Sequence, residues 1–427
     1  MRIAIIGTGI SGMAAAHILS RRYEVVAYEA ANRLGGHTAT FDIEHRSKHY
    51  SVDTGFIVFN DWTYPNFKAM LQKLGVIYQP TSMGFSVTCE ESGLEYSGGG
   101  LDAFFAQRRN LLSLQHWRMI RDIFRFNKEA VVDLNLDDSC SNMTLGEYLH
   151  QQGYSQIFVD KYLVPMGSAI WSATSSAIKD FPLKFFVRFF HNHGLLSVTK
   201  RPQWHVLKGG SKSYIEPLIA PFKDNILLNT PVDQIHRYDD RVEIKTASGN
   251  KEIFDQVIIA THSDQALGLL ADASEIEQRV LKAIPYQDNE VVLHTDTSLL
   301  PSNRKTWSSW NYRIMQEEHK QTPPVLTYNM NILQSIDAQS TFCVTLNKTE
   351  AVDPEKIIGV YHYAHPVFSV DAVAAQEQWE TVNGVNRTWF CGAYWGNGFH
   401  EDGLNSALRI AEKFGFSSSD NHFSSCR

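Results

Sequence analysis

Residues 3–12 read Ile3-Ala4-Ile5-Ile6-Gly7-Thr8-Gly9-Ile10-Ser11-Gly12. A short apolar run, then GxGxxG, then the stretch Met13–Ser20 predicts a buried strand, a tight turn and a helix. A second strand is predicted at Glu24–Tyr28. It runs into Glu29, about 20 residues past the central glycine. GxGxxG alone is a weak signal, but this composite is the fingerprint of a dinucleotide site. Gly7 makes the turn, Gly9 lets backbone approach a pyrophosphate, and Gly12 lets the helix pack on the strand. The helix N-terminus offers unpaired N–H groups and the positive end of its dipole. Glu29 is placed to accept a ribose hydroxyl, and an acid there disfavours a 2′-phosphate.

Around this unit lie 427 residues, 43% of them hydrophobic. That is enough for a large core and too much for one ordinary domain, so two are expected. Charged residues make up 20% and the formal net charge is −7, without long runs, which argues against a nucleic-acid partner. A membrane surface needs only a local patch and stays open as a peripheral contact. Cys89, Cys140, Cys343, Cys391 and Cys426 are scattered and form no CxxC, which fits a reducing cytoplasm better than a disulfide framework or a zinc cluster. Ile3–Ile6 is too short for a signal peptide, and no stretch reaches the roughly 18 apolar residues that span a bilayer. A cytoplasmic protein, free or peripheral to the inner face of the membrane, is expected.

Residues 101–200 are rich in aromatics and read as mostly helical. Short strands are predicted at Ile226–Leu228, Arg241–Thr246, Lys251–Ile253, Val257–Ala260, Glu290–His294, Val325–Met330, Phe342–Leu346 and Thr388–Cys391. A last helix is predicted from about Gly403 to Phe414, capped by Asp402 and ended by Gly415. The Ser-rich tail beyond Ser417 is expected to fray.

Directly after Glu29, Asn32-Arg33-Leu34-Gly35-Gly36-His37-Thr38 resembles the second FAD motif of the flavin-containing amine oxidase superfamily, an acid followed by R-x-G-G. Val52-Asp53-Thr54-Gly55-Phe56, His205-Val206-Leu207-Lys208-Gly209-Gly210, Thr230-Pro231-Val232 and Val257-Ile258-Ile259-Ala260-Thr261 are similar to later blocks of that superfamily. So is Phe390-Cys391-Gly392, with Gly403 and Ala407. The resemblance runs from Met1 to about Gly415. It implies an α/β, two-domain fold. A discontinuous Rossmann-type FAD-binding domain takes residues 1–75, 201–287 and 386–416. An interleaved mixed-sheet and helical substrate domain takes 76–200 and 288–385, and 417–427 form a flexible tail. It implies non-covalent FAD held by Gly7, Gly9, Ser11, Gly12, Glu29, Ala30, Arg33, Gly35, Gly36, His37, Thr54, Gly55, Phe56, Val232, Ala260, Gly392, Glu401, Asp402, Gly403 and Leu404. The last helix would then aim its N-terminus at the flavin, where its dipole stabilises negative charge.

Departures from the amine oxidases concern the chemistry. Those enzymes usually carry a lysine on a strand soon after the FAD domain, and Asn289-Glu290-Val291-Val292-Leu293-His294 has none. Leu404 stands near the point where they often place an aromatic of the amine cage. A bacterial group of predicted NAD/FAD-binding oxidoreductases is more similar, through the runs 52–60, 361–368 and 391–403. That group also resembles the N-terminal flavin domain of plant cyclopropane fatty-acid synthases. It implies a fatty-acyl or other apolar small-molecule substrate, the acyl chain being plain, methyl-branched or phospholipid-bound, and a lipid methyltransferase as partner.

Phe181, Phe185, Phe186, Phe189 and Phe190 recur at helical spacing. Core packing is the plainer reading of them; an acyl tunnel wall or a membrane-dipping helix is the sharper one. His365 and His400, with His191, His193 and His362, are candidate proton carriers, each weighed against an ordinary backbone-bonded histidine. His362-x-x-His365 lacks a third ligand, so no metal is expected. Tyr394 and Trp395 either shape the substrate face of the flavin or pack its loop. The favoured reaction is desaturation of a fatty-acyl chain by hydride transfer to flavin N5. Three rivals stay open: double-bond isomerisation with FAD, oxidation of an amine or amino acid, and a non-catalytic flavin-bearing partner of a lipid methyltransferase.

Overall fold

The computed structural model describes residues 1–136, 143–197, 200–316, 323–417 and 423. Five short strands form a parallel sheet in the order Ile226–Leu227, Glu24–Tyr28, Arg2–Ile6, Gln256–Ile259, Thr388–Phe390. The strands at its centre are continuous apolar runs because both faces are covered: Ile3, Ile5, Val257 and Ile258 have no exposed surface. On one face lie the helices Ile10–Leu19 and His400–Lys413. They share a core through Met13, Ala14, Leu404, Ala407 and Ile410, the alanines letting the two axes approach. On the other face an antiparallel sheet of Val232–Arg237, Val242–Thr246 and Lys251–Phe254 turns Ile235, Ile244 and Phe254 inward.

A second sheet has seven strands, in the order Ile357–Pro366, Tyr286–His294, Cys343–Leu346, Val325–Asn329, Trp310–Ile314, Phe85–Cys89, Leu94–Ser97. Trp310–Ile314 and Phe85–Cys89 run parallel, and the other pairings are antiparallel. The helices Leu114–Leu136, Leu145–Gln151, Val164–Trp171 and Leu183–Asn192 share a core with its Val87, Tyr96, Tyr312 and Leu326. A small sheet joins Val58–Asn60, Trp204–Leu207 and Tyr78–Thr81.

The helical reading of residues 101–200 holds. In the phenylalanine run Phe181, Phe186, Phe189 and Phe190 are all buried, and Phe189 also lines the cavity described below, so that helix is not the one that would dip into a membrane. Predicted strand ends shift by a residue or so, Arg241–Thr246 beginning at Val242. Other strands were not anticipated: the hairpin Thr40–His45 with Lys48–Asp53, then Phe85–Cys89, Leu94–Ser97, Val232–Arg237, Trp310–Ile314 and Ile357–Pro366. These carry many polar and aromatic residues on half-exposed faces, which blurs the apolar alternation that marks a strand. The last helix begins at His400 rather than at Gly403, and Gly415 ends it with φ 79° as expected. Cys140, Cys426 and most of the predicted tail lie outside the described residues. No helix among the described residues is long and apolar enough to cross a membrane.

Candidate cofactor and substrate cavity

The carboxyl ends of Arg2–Ile6 and Gln256–Ile259 open on a cavity of about 1120 Å³, the place where parallel α/β sheets bind ligands. The part of it beside these strands is built by glycines. A β-carbon on Gly12 would lie 2.0 Å from the Gly7 carbonyl oxygen, so only glycine lets the helix start this close to the turn. Gly7 itself has φ 97°. Gly9 has nothing within 4 Å of where a β-carbon would stand, and it faces the cavity. It also precedes a helix with no side-chain cap, so the first N–H groups of Ile10–Leu19 stay open to an anion. At the end of the next strand the Glu29 carboxylate accepts the backbone N–H groups of Thr8 (3.0 Å) and Ala31 (2.9 Å) and the Thr8 hydroxyl. Val232 and Ala260 also line the cavity. This donor set, with an acid beside an uncapped helix start, fits the pyrophosphate and ribose of a dinucleotide.

Of the residues expected at the site, Gly7, Gly9, Ser11, Glu29, Ala30, Gly35, Gly36, His37, Thr54, Gly55, Phe56, Val232, Ala260, Gly392, Tyr394, His365 and His400 line this cavity. The others stand behind its wall. Gly12 packs helix on strand. Arg33 spends its guanidinium on the carbonyls of Gly36 (2.9 Å) and Thr38 (3.2 Å), holding the glycine loop in shape. Glu401 turns away and accepts the backbone N–H groups of Asn66 (2.9 Å) and Phe67 (2.8 Å), capping the helix Pro65–Lys73. Asp402 lies inside the first turn of its own helix and accepts the Phe399 N–H at 2.9 Å. Gly403 has Ser11 Oγ 2.8 Å from its would-be β-carbon, a close approach between two helices. Leu404 is core. Trp395 donates its ring N–H to the Phe390 carbonyl at 2.9 Å and does not line the cavity.

The rest of the lining is largely apolar. Met83, Phe85, Met166, Ile170, Trp171 and Phe189 belong to it, with Trp310 and Tyr328 from the seven-stranded sheet. Tyr162 enters from a single π turn, Val159–Leu163, an irregularity that often marks a working site. Glu29 is the one carboxylate and Arg201 the one permanent cation lining the cavity, among the described residues. Arg201 is exposed at the rim, as are the lining residues Gln203, Gly98 and Gly99. Its Nε donates to the Ser197 carbonyl at 3.0 Å, and it has no carboxylate partner among the described residues.

Residues 10–319 match the model of the family described as flavin containing amine oxidoreductase. The chain belongs to this family. Solved structures of similar fold include a CLA-producing fatty acid isomerase from P. acnes, with TM-score 0.68, 15% identity, 97% of this chain and 98% of that one covered. They include cyclohexylamine oxidase from Brevibacterium oxydans, with TM-score 0.64, 16% identity, 97% and 99% covered. Wild-type putrescine oxidase bound to putrescine gives TM-score 0.67 at 14% identity, with 97% and 99% covered. This flavin-containing amine oxidoreductase is an FAD-dependent oxidoreductase with an amine oxidase-like fold.

Within the oxidoreductase the histidines divide. His191 and His362 are exposed and outside the cavity. His400 is structural: its Nε2 meets Thr38 Oγ1 at 2.9 Å, its ring stacks 3.5 Å from that of Phe56, and burial pushes its pKa down to about 3. His37, His262 and His365 form an arc, with ring centroids 5.7 and 5.4 Å from that of His37. Burial holds all three neutral, His365 down to about 4. His37 Nε2 donates to the Ala364 carbonyl at 3.1 Å, so its Nδ1 is the lone-pair side. His193 lines the cavity, stacked on Phe189 at 3.8 Å. Its Nδ1–H donates to the Phe189 carbonyl at 2.9 Å, which leaves Nε2 unprotonated, and burial lowers its pKa to about 4. The sequence pattern did not single out His262 or Arg201. The first had a signal, because His262 follows directly on the apolar strand whose carboxyl end faces the ligand.

Proposed function

We propose that this oxidoreductase dehydrogenates a fatty-acyl chain, free or phospholipid-bound. One observation carries the reading: away from Glu29 the cavity is lined largely by aromatic and aliphatic side chains, with no carboxylate to offset the charge of an ammonium. Burying an unpaired cation there would be costly, whereas an alkyl chain gains from every apolar contact. Bound FAD supplies the two-electron acceptor, which dioxygen or a quinone-class acceptor restores. The chain's own residues position and exclude: Trp171, Phe189 and Tyr162 hold the alkyl chain, and the apolar wall keeps water out. His193 takes the proton at Nε2, and the Arg201 guanidinium at the rim pairs with a carboxylate or phosphate head. The test is anaerobic mixing of the holoenzyme with methylated and unmethylated unsaturated acyl lipids, and separately with diamines and aromatic amines. Bleaching of the flavin by acyl lipids, with product lighter by two hydrogens, supports the reading. Product of unchanged mass with a moved double bond points to isomerisation. Bleaching by amines alone sinks it.

A further inference from the structure

One corner of the molecule pairs exposed apolar side chains with arginine. Leu101, Leu112 and Leu114 are 80%, 90% and 79% exposed, and Leu111, Trp117 and Phe124 are also open to solvent. They sit on the turns Leu101–Phe104 and Arg108–Leu112 and along the first half of the helix Leu114–Leu136. The other side of that helix is anchored, with Met119, Ile123 and Phe126 in the core. The corner is also held in shape, since the Trp117 ring N–H donates to the Leu111 carbonyl at 2.9 Å. From Ala103 to Arg121 the sequence has four arginines and no acid, in a chain whose formal net charge is −7. Asp102 is already paired with Arg108 and Lys305, and Arg121 with buried Asp122. Arg109 and Arg118 have no carboxylate partner among the described residues. The patch adjoins the cavity: Gly98 and Gly99 are exposed and line it, and Leu101 follows after Gly100. The cavity-lining Tyr96 ring lies 5.0 Å from that of Phe104.

We propose that this corner is a docking surface for an anionic lipid bilayer, seating the cavity mouth against the membrane. Leucine and tryptophan enter the boundary between headgroups and acyl chains, and the arginines meet the negative surface. The proposal does not rest on the acyl-chain reading, and its test involves no turnover. The holoenzyme is sedimented with phosphatidylcholine vesicles, with and without phosphatidylglycerol, over a salt series. Anionic vesicles are expected to bind at least about tenfold more tightly than neutral ones, weakening as salt rises. The double variant Leu112→Glu with Leu114→Glu should lose at least about tenfold, and Arg118→Glu roughly fivefold, with flavin absorbance and Tm unchanged. If the double variant fails to fold, Arg118→Glu and the salt series decide alone. Equal binding to neutral and anionic vesicles, or undiminished binding by the variants, overturns the proposal. So does a double variant that loses self-association while still binding vesicles, which would give the surface to a second copy of the chain.

Discussion

A methyl group at Gly12 would stand 2.0 Å from the Gly7 carbonyl, and neither backbone can yield without tilting the helix off its strand. Gly12→Ala should therefore lose most bound FAD and about 1–3 kcal/mol of stability. Flavin released per mole of protein and thermal unfolding check it. This residue was legible in sequence because a glycine turn is a local demand of the backbone. Arg201 was not. A surface arginine between Lys200 and Pro202 carries no periodic signal, and only the fold brings it to the rim. Arg201→Gln should raise KM for a free fatty acid about tenfold, the worth of a charge-assisted hydrogen bond, and leave kcat within about twofold. An unchanged KM would show that the head group binds elsewhere.

Elements explain where the reading of the last helix slipped. Placing its start at Gly403 makes Asp402 the cap, whereas starting at His400 puts both acids inside the first turn. Glu401 then points across to the helix Pro65–Lys73 and serves as that helix's cap. The register came from the apolar stripe, and His400 and Glu401 are buried polar residues that a stripe does not count. Glu401→Ala leaves two backbone donors without their acceptor and should cost about 2–4 kcal/mol. FAD content at saturation should not change, since Glu401 does not line the cavity. A variant of wild-type Tm that has lost its flavin would contradict this placement.

Across the whole molecule, buried imidazoles and buried carboxyls oppose each other as pH changes. Burial holds His193, His294 and His365 down to about 4 and His400 to about 3, against an ordinary 6.5. Below 6.5 the unfolded chain takes protons that these four refuse, so stability falls as pH drops toward 4. Asp53 and Asp402, raised to about 6, and Glu401, raised to about 7, act with the other sign: their contribution is full below about 4 and is lost as pH rises through 6 to 7. Four imidazoles outweigh three carboxyls, so Tm should fall steadily from pH 6.5 to 4.5. A Tm that climbs over that interval would show the carboxyls dominant.

The FAD sheet draws its strands from residues 2–28, 226–259 and 388–390. Their apolar runs were readable one by one; their lateral order was not, because it depends on contacts hundreds of residues apart. During synthesis the first strand, helix and second strand leave the ribosome early, complete with their glycines. Gly392 and the last helix follow only after the long stretch between them has been made. A nascent chain thus carries half a nucleotide site until those later residues follow. Stable flavin uptake therefore waits for the strand Thr388–Phe390 and the helix His400–Lys413, and cells short of flavin should accumulate a folded chain without its central ligand.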